Sequence, residues 1–210
     1  ATKILQDAPY ENPDKSEFDI DRIGVKASQF SFARLQNADP VLGVDMSSTG
    51  EVGCLGDSLN EALLNALIAT GYRLPKKSVL VSSGDAKGKV ALLEPAQQLV
   101  KKGFELYATG GTAKFFNDNG VKATPVSWPD EDGENKVMEM IADHKFDLIV
   151  NVPKNHTKRE LTNGYRIRRG AIDHNIPLMT NVRLAKAFIE AFTAMKEEDI
   201  KIKSWQEYNN

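Results

Sequence analysis

From residue 78 to residue 200, short apolar segments alternate with longer segments that have helical hydrophobic spacing. The apolar segments predict five strands, at residues 78–82, 104–108, 121–126, 146–151 and 176–179. The remaining segments predict five helices, at residues 87–102, 112–119, 135–144, 166–174 and 182–195. Strands separated by helices are typical of a parallel sheet. The sequence therefore predicts an α/β fold of the Rossmann type, with three layers: a five-stranded parallel sheet and helices on both faces.

The first 75 residues have a different pattern and predict a small α+β unit. Residues 7–15 are turn-rich, residues 23–32 predict a strand, and residues 39–52 predict tight turns between strands. Ser58 and Glu61 have the spacing of a capping box, which predicts a helix that Gly71 ends. We place the boundary after residue 75, which gives a unit at residues 1–75 and a second unit at residues 76–210.

Two local features are open to alternative interpretations. Pro95 either kinks the helix at residues 87–102 or marks its true first turn. Thr109-Gly110-Gly111-Thr112 connects a predicted strand to a predicted helix. The glycines and the helix N-terminus suit a phosphate or carboxylate, because the backbone N–H groups and the helix dipole both favour negative charge. The same residues also fit a plain strand–turn–helix connection that Thr112 caps.

Polar and aromatic side chains follow the predicted strands at their carboxyl ends. In a parallel α/β sheet, ligands bind beyond these ends. The side chains there are mostly hydroxyl, amide and aromatic, at residues 82–83, 109–112, 127–128, 151–155 and 180–181. Trp128 fits a packed surface aromatic as well as a ligand contact. Together these residues predict a rim that binds a small molecule.

Composition and motifs argue against several other functions. The net charge of −2 favours neither nucleic acid nor a membrane surface as a partner, and no apolar run reaches the roughly 20 residues of a membrane span. The single cysteine, Cys54, suits a small buried residue in a reducing cytoplasm, so we expect a cytoplasmic protein. His144, His156 and His174 are scattered and predict no metal site. No serine lies in a nucleophile motif, which leaves nucleophilic catalysis unsupported.

Two charged segments follow the third and the fourth strand. The acidic run at residues 130–134 could hold acid–base residues, but it fits a solvated loop before the next helix better. The basic cluster between Lys154 and Arg169 fits either closure over an anion or a subunit or domain contact. We expect a ligand role for Lys154 and a structural or interface role for most of the arginines.

Several segments resemble the large chain of carbamoyl-phosphate synthases. Residues 29–35 and 39–52 resemble the end of the second ATP-grasp unit, and four later segments resemble the carboxyl-terminal regulatory domain, which shares its fold with methylglyoxal synthase. Those four segments are residues 102–113, 149–151, 166–171 and 176–181. The resemblance implies an ATP-grasp remnant at residues 1–75 and a methylglyoxal-synthase-like allosteric domain at residues 76–210.

The resemblance also implies what the intact enzyme does. Such synthases use ATP with Mg²⁺ or Mn²⁺ to make carbamoyl phosphate from bicarbonate and ammonia, glutamine-derived or free, for arginine and pyrimidine biosynthesis. The family's metal- and nucleotide-binding segment would precede Ala1, so we expect this piece to be non-catalytic and to hold no cofactor. The implied partners are the rest of the large chain, a glutaminase small chain, a second copy of this chain and a small anionic effector.

Effector identity divides the family. Many bacterial members bind UMP or IMP, and the branch activated by N-acetylglutamate has a tryptophan where Trp128 stands, in place of a phosphate-binding lysine. Lys154 departs from that branch, which has an asparagine at this position. Losing a lysine removes a charge-assisted bond worth about 1.5–3 kcal/mol, which favours an N-acylated amino acid. The implied effector-binding residues are Ser82, Lys89, Thr109, Gly110, Gly111, Thr112, Trp128, Asn151, Lys154 and Asn163.

Two alternative functions stay open. One is a phosphate-eliminating lyase of the methylglyoxal synthase type, although the carboxylate-bearing Gly-Gly-Asp segment of those enzymes has no counterpart in residues 128–133. The other is an assembly module without a ligand, whose basic face contacts another subunit.

Overall fold

The strands of the described residues form two sheets. The computed structural model describes residues 22–42, 48–153, 157–204 and residue 207. The loop predicted at residues 7–15 lies outside the described residues. In chain order the strands and helices are β1 (Ile23–Gln29), β2 (Gly50–Gly56), α1 (Leu59–Ala69), β3 (Ser78–Ser83), α2 (Ala86–Lys101), β4 (Glu105–Thr109), α3 (Gly110–Asp118), β5 (Thr124–Val126), α4 (Val137–Ala142), β6 (Leu148–Val152), α5 (Lys158–Asp173), β7 (Leu178–Met179) and α6 (Val182–Ala194).

The predicted parallel sheet is confirmed. Its five strands lie in the order β5-β4-β3-β6-β7, and every neighbouring pair is parallel. The central strand β3 pairs with β4 on one side, where Val81 faces Ala108, and with β6 on the other, where Val81 faces Val150. The carboxyl ends of β3, β4 and β6 therefore meet at one edge of the sheet.

Helices cover both faces of this sheet, as the sequence predicts. Alternate residues of β3 point to opposite faces: Val79 and Val81 belong to one hydrophobic cluster, and Leu80 belongs to the other. The first cluster includes apolar residues of α1, α2, α3 and α6, and the second includes residues of α4 and α5. The two clusters are the two cores of a three-layer α/β fold.

The described part of residues 1–75 contains an antiparallel hairpin and a capped helix. β1 pairs with β2 over seven residues, from Ile23 opposite Gly56 to Gln29 opposite Gly50. The helix predicted from the capping box is confirmed as α1, because Ser58 Oγ accepts from the Glu61 backbone N–H at 3.2 Å. The Glu61 carboxylate accepts from the Asp57 N–H, one residue before the cap, at 2.8 Å.

Three helix predictions differ from the structure. Pro95 lies inside α2, so the alternative that places it in the first turn is wrong; Asp85 caps this helix by accepting from the Gly88 N–H at 2.7 Å. α3 begins at Gly110, two residues before its predicted start, and its N-cap residue is Thr109, not Thr112. α5 begins at Lys158, eight residues before the predicted start, because Thr157 accepts from the Glu160 N–H at 3.2 Å and caps it.

The hydrophobic core crosses the predicted boundary at residue 75. Leu63, Leu64 and Leu67 of α1 belong to the same cluster as Val79 of β3 and Phe188 of α6. Within the described residues, no helix has the length and apolar character that crossing a membrane requires. The division into units at residues 1–75 and 76–210 stays a prediction.

Candidate functional site

A pocket of about 250 Å³ lies at the carboxyl ends of β3, β4 and β6. Among the predicted effector-binding residues, seven line it: Ser82, Lys89, Thr109, Gly111, Thr112, Trp128 and Asn151. They come from five strands and helices and one loop, and the parallel arrangement of the strands brings them together. Most of the predicted rim is therefore one concave site, but Thr180 and Asn181 do not belong to it and line a separate cavity.

Of the other three predicted residues, two do not line the pocket and one lies outside the described residues. Gly110 is exposed at the start of α3 and does not line the pocket. Asn163 is buried and does not line the pocket; its Nδ2 donates to Asp130 Oδ1 at 2.6 Å, so its side chain holds the loop that carries Trp128. Lys154 lies outside the described residues.

The first turn of α3 forms the positive end of the site. Thr109 is the N-cap residue, yet its hydroxyl makes no cap hydrogen bond and donates to Ser82 Oγ at 3.0 Å. Lys89 Nζ lies 3.5 Å from the position that a Cβ on Gly111 would take, so the ammonium group approaches this turn closely. The ammonium group and the helix dipole both favour an anion here.

Thr112 has a structural role that the sequence did not indicate. It is 1% exposed, and its hydroxyl donates to the Ser83 carbonyl oxygen at 3.1 Å and accepts from the Ser83 N–H at 3.2 Å. These two bonds tie the end of β3 to the first turn of α3. The single hydroxyl hydrogen is already used, so Thr112 Oγ1 has none left to donate to a ligand.

Ser83 contributes an unsatisfied hydroxyl to the pocket wall. Its Oγ is buried and has no hydrogen-bond partner among the described residues. The close approach of Gly88 makes room for it, since a Cβ on Gly88 would lie 2.4 Å from this oxygen. A buried polar group without a partner costs free energy.

Asn151 and Arg168 form the opposite wall. Arg168 is 3% exposed and donates from Nη1 to Asn151 Oδ1 at 2.9 Å. Its Nε and Nη2 donate to the two carboxylate oxygens of Asp39, at 2.7 and 2.5 Å. This bidentate pair neutralises the guanidinium group with a carboxylate from the amino-terminal part of the chain.

The loop after β5 places Trp128 at the pocket and is held by α5. Arg159 donates to Asp130 Oδ2 at 2.6 Å and to Glu131 Oε1 at 2.8 Å, and its guanidinium carbon lies 5.9 Å from the centroid of the Trp128 ring. Hydrogen bonds from Arg159 and Asn163 hold the pKa of the Asp130 carboxyl below its ordinary value. The acidic run is thus more than a solvated loop, because two of its carboxylates are ion-paired to α5.

Four pocket residues on α5 were missed by the sequence prediction. Glu160, Leu161, Gly164 and Arg168 line the pocket at spacings of one, four and eight residues, which places them on one helix face. The prediction placed all but Arg168 in a loop. The spacing of Thr157 and Glu160 is that of a capping box and was the signal that could have found this helix.

The arginines of the basic cluster have the predicted structural role. Arg169 donates to the carbonyl oxygens of Phe32, Leu35 and Ala38, at 3.1, 3.0 and 3.4 Å. Arg166 donates to the Pro129 carbonyl oxygen at 3.0 Å. With Arg159 and Arg168, they fasten α5 to residues 32–39 and to the loop after β5.

Other candidate chemistry receives little support from the geometry. No group of three or more His, Cys, Asp or Glu side chains that could hold a metal ion occurs in the part of the chain that the structure describes. His144 and His174 lie at helix ends, with ring centroids 5.9 Å apart, and His156 is outside the described residues. Cys54 lies half-buried on β2, where burial raises the pKa of its thiol and disfavours the reactive thiolate.

Comparison with known proteins agrees with this architecture. Residues 91–180 match the family model described as the MGS-like domain. The chain is 44% identical to the multifunctional protein pyr1-3 of Dictyostelium discoideum over 205 residues, which cover 93% of this chain and 9% of that protein. It is 40% identical to the mitochondrial carbamoyl-phosphate synthase [ammonia] of Homo sapiens over 185 residues, 86% of this chain and 12% of that one.

The matches extend to further relatives and to solved structures. The multifunctional protein CAD of Squalus acanthias is 44% identical over 183 residues, 80% of this chain and 8% of that protein. The chain thus spans about a tenth of the length of these curated relatives. A crystal structure of methylglyoxal synthase from Elizabethkingia anophelis matches with 19% identity and a TM-score of 0.41, over 65% of this chain and 92% of that one.

Proposed function

We propose that this chain, which belongs to the MGS-like domain family, is the effector-binding regulatory part of a carbamoyl-phosphate synthase. Its relatives include a carbamoyl-phosphate synthase and multifunctional proteins, and all of them extend far beyond the matched segment. Catalysis in such a protein would be carried out by the rest of the large chain, with ATP and Mg²⁺ or Mn²⁺. The part described here would bind a small anion and change the activity of that remainder.

One observation carries the proposal: the pocket combines a positive end with a wall of polar side chains. Lys89 and the first turn of α3 supply the positive potential, and Ser82 and Asn151 supply polar groups that can bond to a ligand. The second lining cation, Arg168, is already paired with Asp39. A ligand with negative charge at one end and hydrogen-bonding groups along its length would satisfy all of these features.

The size and charge of the pocket favour a small carboxylate over a nucleotide. Its volume of about 250 Å³ is below the range of roughly 300–1,000 Å³ that is typical of sites for drug-sized ligands. Trp128 offers an indole ring where a second ammonium group would strengthen phosphate binding. We therefore infer that an N-acylated amino acid such as N-acetylglutamate is preferred to UMP or IMP.

A titration tests this proposal directly. The chain has two tryptophans, so a Trp205→Phe variant leaves Trp128 as the only indole reporter. N-acetylglutamate, UMP, IMP and ornithine are each titrated into this variant by fluorescence and into the unmodified chain by calorimetry. We expect a saturable response to N-acetylglutamate, which Trp128→Lys weakens in the calorimeter. Tighter binding of UMP or IMP would contradict the effector preference, and no binding of any compound would contradict the regulatory role.

Glu160 supports a second candidate function. Its position on the pocket wall supplies a carboxylate near the anion site, which a phosphate-eliminating lyase of the methylglyoxal synthase type would need as a base. The Glu160 carboxylate accepts from the Thr157 hydroxyl at 3.0 Å, as expected for a helix cap, so we rank this function second. If the unmodified chain turns over dihydroxyacetone phosphate and Glu160→Gln abolishes this activity, the lyase function becomes the preferred one.

A further inference from the structure

The guanidinium group of Arg168 contacts the candidate site and the amino-terminal part of the chain at once. Nη1 bonds to Asn151 Oδ1 on the pocket wall, and Nε and Nη2 bond to Asp39, which is 129 residues away in sequence. The guanidinium group is planar and rigid, so its three bonds have a fixed relative geometry. A shift of Asp39 is therefore transmitted to Asn151 through a single side chain.

The hydrogen bond between Arg168 and Asn151 fixes the orientation of the Asn151 amide. Arginine has donors and no acceptor, so the Asn151 carbonyl oxygen must be the atom that faces Arg168. The amide NH₂ group of Asn151 is then left to act as a donor. A donor on this wall suits a carboxylate or acyl oxygen, in agreement with the positive potential at Lys89 on the other side of the pocket.

Gly164 shows that the helix leaves space for this arrangement. A Cβ on Gly164 would lie 2.8 Å from Arg168 Nη1 and 3.7 Å from Asn151 Oδ1. Glycine in the interior of a helix is unfavourable by about 1 kcal/mol relative to alanine. Its presence one turn before Arg168 is explained by the close approach of the guanidinium group to the helix backbone.

We propose that Arg168 is a positioning residue that holds the Asn151 amide as a donor to the ligand and couples the pocket to residues 32–39. This coupling rests on the proposed regulatory function. In it, Arg168 is the route by which ligand binding affects residues 32–39. Because coupling between two sites is reciprocal, weakening the Arg168–Asp39 pair must weaken ligand binding, and ligand binding must strengthen that pair.

Arg169 provides the matched control. It is the next residue on α5 and it also binds residues 32–38, through three carbonyl oxygens, but it has no hydrogen bond to the pocket wall. Arg169→Lys therefore loosens the same segment without changing the bond to Asn151. Asp39→Asn removes the carboxylate that fixes Arg168, and Arg168→Lys removes the bidentate geometry.

The experiment compares these variants of the full 210-residue chain by calorimetry with N-acetylglutamate and by hydrogen exchange of residues 32–39. We expect Asp39→Asn and Arg168→Lys each to weaken binding at least about fivefold, and Arg169→Lys to leave it within twofold. Ligand should slow exchange in the unmodified chain and in Arg169→Lys, but not in Arg168→Lys. Equal affinities in all four proteins would overturn the proposal.

A measurement without ligand separates this inference from the proposed function. The NMR signals of the Asn151 side-chain NH₂ group report its hydrogen bonding directly. We expect Asp39→Asn to move these signals and Arg169→Lys to leave them in place. If no compound binds but the signals respond in this way, the effector function fails and the positioning role stands; unmoved signals in Asp39→Asn overturn the positioning role in either case.

Discussion

At the scale of single residues, the two threonines of the glycine-rich turn have different roles. The Thr109 hydroxyl bonds to another hydroxyl at the pocket wall, whereas the Thr112 hydroxyl satisfies both backbone groups of Ser83. Thr112 is thus part of the framework that keeps the end of β3 and the start of α3 in place. The backbone of α3's first turn is then available to an anion.

Thr112→Val is expected to destabilise the fold more than it weakens binding. The change keeps the side-chain shape but leaves the buried Ser83 N–H and C=O without these partners, at a cost of about 1–3 kcal/mol. Thr112→Ser keeps the hydroxyl and should cost less than half as much. Urea unfolding measures both variants. A Thr112→Val chain of unchanged stability that has lost ligand affinity would show that this hydroxyl serves the ligand.

Gly164→Ala is expected to destabilise the chain, in contrast to the usual effect of this change within a helix. Alanine normally stabilises a helix interior by about 1 kcal/mol, but here the methyl group would displace the Arg168 guanidinium group. The control is Gly110→Ala, since a Cβ on Gly110 meets no atom within 4 Å. In thermal unfolding, the midpoint of Gly164→Ala should be lower than that of the unmodified chain, and the midpoint of Gly110→Ala should be equal or higher.

At the scale of elements, the five strands of the parallel sheet followed from the sequence, whereas β2 and the first half of α5 did not. Each buried strand is a run of apolar residues between polar ones, so every predicted strand end lies within three residues of the observed one. The first half of α5 is polar because its partners are a polar pocket and an acidic loop, so hydrophobic spacing gives no signal there. The pairing of Arg168 with Asp39 could not be predicted either, because the two residues are remote in sequence.

The loop after β5 should stay attached to α5 until the pH becomes acidic. The Arg159 hydrogen bond lowers the pKa of Asp130. A lowered pKa in the folded chain means that the contact stabilises the fold above the ordinary pKa of about 3.9 and is lost as the pH falls through the lowered value. Trp128 emission in the Trp205→Phe chain should therefore be constant from about pH 8 to pH 5 and change below about pH 4. Arg159→Gln should move that transition to higher pH.

At the scale of the whole molecule, the amino-terminal part is integrated with the parallel sheet. Tyr72 donates to the Leu178 carbonyl oxygen at 2.8 Å and packs edge-on against Phe188, with ring centroids 6.2 Å apart. α1 packs on α6, and Arg168 and Arg169 bind residues 32–39. The carboxyl ends of the strands are thus joined to the amino-terminal part by a continuous network of contacts.

Removing residues 1–75 is accordingly expected to destabilise the remainder. The truncated chain would lose Leu64, Leu67 and Tyr72 from the surface of α6 and β7, and each large buried side chain contributes about 1.5–3 kcal/mol. A decrease of roughly 5 kcal/mol in the free energy of unfolding corresponds to a fall of about 10 °C or more in the unfolding midpoint. A chain of residues 58–210 keeps α1 with its cap and should fall much less. Equal midpoints for residues 76–210 and the full chain would show that the unit at residues 76–210 is stable by itself and that the shared core contributes little.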